Sequence, residues 1–143
     1  SIISWQPRQD RSPVGWATST QELSIGALFM KRLSDYPCAA TPKDAAKLTH
    51  EQQRKLAAQI PDWNIELNGT VARLCRVYKV DNFVQAMAFA NQITLIAEDG
   101  NHHPALLVEW GRINVSWWSH SIGGLHLNDF VMAAKTDEIY KSL

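Results

Sequence analysis

Four of the five histidines of this 143-residue chain fall between residues 102 and 126: His102, His103, His120 and His126, with His50 apart. The ordinary pKa of imidazole lies close to neutrality, so such a cluster can give and take protons with little tuning. Imidazole also binds metals, but the spacings argue against that use. Adjacent residues in extended chain point to opposite sides, so His102 and His103 do not easily share an ion. No His pair stands four residues apart around a glutamate, and no two cysteines are closely spaced. Other chemistries fare no better. There is no G-x-S-x-G nucleophile elbow, Cys75 sits within a strand-like run, and "GRINVSWWSHSIGG" lacks the spacing of a phosphate-binding loop. Two readings of the residues stay open. One is an acid–base site drawn from His102, His103 and His120. The other is a binding groove walled by Trp110, Trp117 and Trp118, whose flat rings suit a planar heterocycle. Trp117 alternates with Ile113 and Val115 and reads as core, whereas Trp118 shares the opposite face with Asn114, Ser116 and His120. His50 and His126 read as surface or capping residues, His126 standing at the N-cap of the last helix.

The elements that must position these groups become regular from residue 45. In "LTHEQQRKLAAQI", Thr49 with Gln52 forms a capping box for a helix that Pro61 ends. "WNIEL" alternates as a strand, and Asn68-Gly69 signals a hairpin. "TVARLCRVYKV" returns with Val71, Arg73, Cys75 and Val77 on one face and Ala72, Leu74, Arg76 and Tyr78 on the other. Asp81 reads as the N-cap of a helix whose face carries Phe83, Ala86, Met87, Ala90, Ile93, Thr94 and Ala97, with Gly100 placed to end it. "ALLVEW" and "INVSWWSH" are strands joined by a tight turn at Gly111-Arg112, and "NDFVMAAKTDEIYKSL" is a closing helix with Phe130, Ala133, Ala134, Asp137 and Ile139 near one side. The order α-β-β-α-β-β-α predicts an α+β fold, one four-stranded antiparallel sheet with helices packed on one face.

Residues 1–44 are irregular, broken by Pro7, Pro13, Pro37 and Pro42, and read as an extension outside the domain at 45–143. Within it, Ser19 with Glu22 predicts one short helix through Leu23, Ala27, Met30 and Leu33, while Met30 opens "MKRLSDYPC", a run that reads as a natural protein start. Lys plus Arg and Asp plus Glu both number 14, so no net charge steers the chain toward nucleic acid or an anionic membrane. No apolar run approaches the ~18 residues that span a bilayer, no secretory leader is evident, and two cysteines fit a reducing cytoplasm.

Glu98, three residues, "HHP", five residues to Trp110, nine to His120 and eight to Asp129 form a spaced set that resembles the signature of pterin-4a-carbinolamine dehydratases. The resemblance runs from about Leu48 to Leu143 through "IPDWNIE", "NHHPALLVEWG" and "WWSHSIGGLHLNDF", and is strongest to bacterial members associated with phenylalanine hydroxylase. It implies loss of water from a 4a-hydroxy-tetrahydropterin to give the quinonoid dihydropterin, which recycles the cofactor of aromatic amino-acid hydroxylases. The pterin is then the substrate, with no metal and no organic cofactor. Carried over by position, the resemblance implies catalytic roles for His102, His103 and His120: His103 and His120 move protons, and His102 positions substrate and contacts the leaving group. It implies pterin contacts for Asn101, Trp118, Ser119 and Ser121, and supporting roles for Glu98, Trp63, Trp110 and Asp129. It further implies a homodimer or homotetramer. A catalytically quiet assembly partner on this fold is the competing expectation, and such relatives tend to lack one or more of the histidines kept here.

Overall fold

The structure, a computed structural model, describes residues 31–143. The helix expected after Ser19 lies outside the described residues except at its last apolar position: Leu33 opens a 3-10 turn, Leu33–Asp35, and is buried. The described elements follow as α1 (His50–Ala57), β1 (Asn64–Asn68), β2 (Val71–Lys79), α2 (Phe83–Gly100), β3 (Ala105–Glu109), β4 (Arg112–Trp117) and α3 (Leu127–Lys141). All strand pairs are antiparallel, in the order β1-β2-β4-β3. This is the α+β arrangement that the periodicity predicts.

Local chemistry explains most boundaries. Thr49 accepts from the Gln52 backbone while the Gln52 side chain accepts from the Thr49 N–H, so α1 begins in a full capping box. Three predicted positions shift by a residue. The β1–β2 hairpin turns on Gly69 and Thr70, because Asn68 pairs with Val71; Gly69, at φ 63°, takes the first corner that glycine tolerates. Arg112 belongs to β4, and the β3–β4 turn is Trp110-Gly111. Asn82, not Asp81, caps α2: its side chain accepts from the Gln85 N–H at 2.9 Å, while the Asp81 N–H donates to the Gln85 side chain.

One face of the sheet carries Leu74, Tyr78, Ile113, Val115 and Trp117 into the core, against Phe89, Ala90 and Ile93 of α2 and Phe130, Val131 and Ala133 of α3. On the opposite face Val77 stays exposed. Of the α2 stripe read from the sequence, Ala86, Ala90, Ile93 and Ala97 are buried, but Phe83 and Met87 are not. Helix α3 departs further from the one-sided expectation: every residue from Leu127 to Ala134 is buried. The segment ahead of α1 explains this, since Leu33 joins the core and the Asn128 amide donates to the Ala39 carbonyl at 2.9 Å.

His126 caps α3 as expected, its Nδ1 accepting from the Asn128 N–H at 3.1 Å. Burial holds this imidazole below its ordinary 6.5, with Asp129 pulling the other way and His102 adding to the depression. As pH falls through that ordinary value the unfolded chain takes up a proton that the folded cap still refuses, so stability is lost on acidification. Protonation also removes the Nδ1 acceptor. The expected outcome is a urea midpoint that declines below about pH 6.5, and declines less steeply in His126→Ser, which retains a cap but no titrating ring.

Candidate active site

The end of α2 sets the first two histidines. Asn101, in the left-handed region at φ 46°, closes the helix: its N–H donates to the Glu98 carbonyl at 3.3 Å, and the His102 N–H to the Ala97 carbonyl at 3.1 Å. This is the Schellman pattern. Gly100, predicted to end the helix by its freedom, serves instead by its size, because a Cβ there would lie 3.1 Å from Cys38 Cβ. The reversal turns the neighbouring rings apart, as the extended-chain rule predicts.

His102 points inward and is 6% exposed. Its Nε2 lies 2.6 Å from Asp129 Oδ1, and its ring stacks on Trp117 with centroids 5.7 Å apart and planes 10° off parallel. In the neutral ring the proton sits on Nε2 and Nδ1 keeps the lone pair. Asp129 has no exposed surface, and it also accepts from the Ser119 hydroxyl and the His126 N–H, both at 2.9 Å. A buried carboxylate is tolerable when its oxygens are used in this way. The same residue occupies the first turn of α3, where negative charge suits the helix dipole. His103 points outward, its Nε2 2.9 Å from Glu98 Oε1, with both side chains about half exposed.

The third ring comes from the loop after β4. Ala105 at the start of β3 pairs with Ser116 near the end of β4, so residues 102–103 and 118–120 share one end of the sheet. His120 packs edge-on against Trp118, with centroids 4.3 Å apart. The Arg73 guanidinium covers the Trp118 ring at 3.8 Å. His120 is held below the ordinary imidazole value, first by burial, then by the nearby charge of His102, with Arg73 and His103 adding smaller repulsions and Asp129 opposing them.

The structure therefore brings together His102, His120, Asp129, Ser119 and Trp118, with the His103–Glu98 pair beside them. Ser119 is buried with its hydroxyl spent on Asp129, and the Ser121 hydroxyl donates to the Thr41 carbonyl, so both expected pterin contacts are engaged within the protein. Asn101 contributes its backbone bend. Trp63 is buried elsewhere, donating Nε1–H to Asp137 at 2.9 Å, so of packing and pocket wall its place is packing. Trp110 is 74% exposed at the β3–β4 turn, ~20 Å along the strand from His120 at the usual rise per residue. It does not wall this site. Arg73, Thr41 and Asn128 are the residues at the site that the sequence reading missed. Arg73 carried a partial signal, since alternation set it on the face opposite Leu74 and Tyr78; Thr41 carried none, lying beside Pro42 in an irregular segment. Among the described residues, no three His, Cys, Asp or Glu side chains are gathered to hold a metal ion, and no helix is long and apolar enough to cross a membrane.

Imidazoles held against carboxylates beside an aromatic wall equip this α+β domain for proton transfer. The family model described as pterin 4 alpha carbinolamine dehydratase matches residues 46–139, and the chain belongs to that family. Its members are hydro-lyases that dehydrate the pterin carbinolamine. The chain is also similar to the crystal structure of a transcriptional coactivator/pterin dehydratase from Brucella melitensis, at 28% identity and a TM-score of 0.60, covering 66% of this chain and 98% of that one.

Proposed function

We propose that the chain dehydrates a 4a-hydroxy-tetrahydropterin by histidine acid–base catalysis, with His120 as the base and His103 as the acid. His103 gives a proton to the hydroxyl on C4a, the C–O bond breaks and water leaves. His120 takes the proton from N5, and the N–H electron pair forms the C4a=N5 bond. Atoms and charge balance without a redox partner, so the pterin is substrate and no cofactor is required. The observation that carries this reading is the place of His120: a ring packed on Trp118 near the carboxylate-held His102 and His103, with partial burial lowering its proton affinity. Glu98 supports the assignment of His103, because its carboxylate can compensate the imidazolium that must donate. His102, fixed by Asp129 and Trp117, is suited to positioning the substrate and contacting the departing oxygen. We place the activity in the cytoplasm, in keeping with the free thiols of Cys38 and Cys75, in a homodimer or homotetramer, and in pterin recycling for an aromatic amino-acid hydroxylase such as phenylalanine hydroxylase.

A pH profile tests the assignment. With His120 as base, kcat/KM is expected to fall on the acid side with an apparent pKa below the ordinary 6.5. The acid limb should vanish in His120→Ala. An acid limb with its midpoint at or above 6.5, or one that survives the substitution, contradicts the role.

A further inference from the structure

Asp129 and Ser119 are not the end of the hydrogen-bond chain that holds His102. Ser119 has one hydroxyl proton, and Asp129 takes it. The Thr41 hydroxyl, 3.0 Å from the Ser119 oxygen, must then donate to it. Thr41 in turn accepts from the Asn128 amide at 3.0 Å. The polarity runs one way, from Asn128 through Thr41 and Ser119 to Asp129, which receives His102 on its other oxygen. Aligned bonds of this kind polarise one another. Thr41 lies before residue 46, where the family match begins. Its segment is tied down independently of the hydroxyl, by Ser121 donating to the Thr41 carbonyl and Asn128 donating to the Ala39 carbonyl, both at 2.9 Å.

We propose that Thr41, from the segment ahead of the matched domain, is a positioning residue of the active site, clamping Ser119 onto Asp129 and thereby fixing the orientation of His102. Its relevance to turnover rests on the dehydratase reading above; its action on His102 does not. Without the Thr41 donor, the Ser119 hydroxyl is free to rotate away, and the buried carboxylate loses one of three partners. The charged groups facing His102 are Asp129 and His126 at the start of α3 and His120 from the loop after β4. Exchanging Thr41 for valine alters none of them and keeps the side-chain shape.

The test is the solvent exchange of the His102 Nε2–H, followed by NMR in full-length wild type, Thr41→Val and Thr41→Ser, with the dehydration assay alongside. Thr41→Val is expected to speed that exchange and to lower kcat, each roughly three- to tenfold, with little change in KM. Thr41→Ser should restore both. Thermal melting shows that each variant is folded, and the two backbone ties remain in the valine variant. A His102 Nε2–H that exchanges at the same rate in all three proteins overturns the proposal, whatever the kinetics show. Because the exchange measurement needs no turnover, a protein without dehydratase activity would sink the catalytic reading and still leave the clamp decided.

Discussion

Replacing His120 by alanine lowers the rate of carbinolamine dehydration by about 10²–10⁴-fold, the usual worth of one positioned proton-transfer group, with the fold intact. The ring is exposed on the loop after β4 and supports no core packing, so circular dichroism and melting should match wild type. His103→Ala has the same expected size, since it removes the proton donor for the leaving hydroxyl. The double variant loses less than the product of the two, because groups acting on one event are not additive. Following quinonoid dihydropterin by absorbance after generating the carbinolamine in situ gives the rates. If His120→Ala and His103→Ala both turn over at the wild-type rate, water leaves the pterin by some other means.

The largest loss of stability is expected far from the histidines. Asp137 accepts from Arg76 at 2.6 Å, from Trp63 at 2.9 Å and from the Tyr78 hydroxyl. Burial and the Asp137 carboxylate both push the Tyr78 phenol above its ordinary value, so it remains a donor. Arg76 and Asp137 are each less than a fifth exposed, and Arg76 reaches Asp62 only at 3.7 Å. Asp137→Ala strands a guanidinium, a phenol and an indole N–H together, and removing one member of such a buried pair costs about 3–5 kcal/mol. A denaturant midpoint measured at neutral pH reads the loss directly. Asp137→Asn keeps an acceptor and should lose less. A change below ~1 kcal/mol in the alanine variant, the size of an exposed ion pair, would mean that the cluster contributes no more than a surface contact. Specific activity per folded molecule should be retained, because the cluster touches none of the three histidines.

Short-range chemistry was legible from the sequence. The Thr49–Gln52 capping box, the alternation of β2, the His126 cap and the opposed directions of His102 and His103 all follow from neighbours within a few residues. Glu98 could be paired with a histidine because only three residues at a helix end separate it from His102 and four from His103, its partner. What failed depended on contacts distant in sequence. Gly100 looked like the left-handed terminator, but the approach of Cys38 requires its missing side chain and passes the bend to Asn101. Trp110 was grouped with Trp118 by closeness in sequence, whereas the β3–β4 register carries it to the opposite end of the hairpin. Nothing local in the sequence reveals Thr41, some eighty residues earlier, as a hydrogen-bond partner of Ser119 and Ser121. The fold was thus within reach of periodicity, and the rings of the site within reach of spacing and resemblance. The hydrogen bonds that hold those rings became apparent only with the tertiary structure.

The most direct measurement of the central claim is a crystal structure of the protein with a dihydropterin bound. The account predicts the pterin plane beside Trp118, with N5 within about 2.6–3.2 Å of the His120 ring and the C4a hydroxyl position within similar reach of His103. A pterin seated elsewhere, or one whose C4a–N5 edge faces away from both rings, would contradict it.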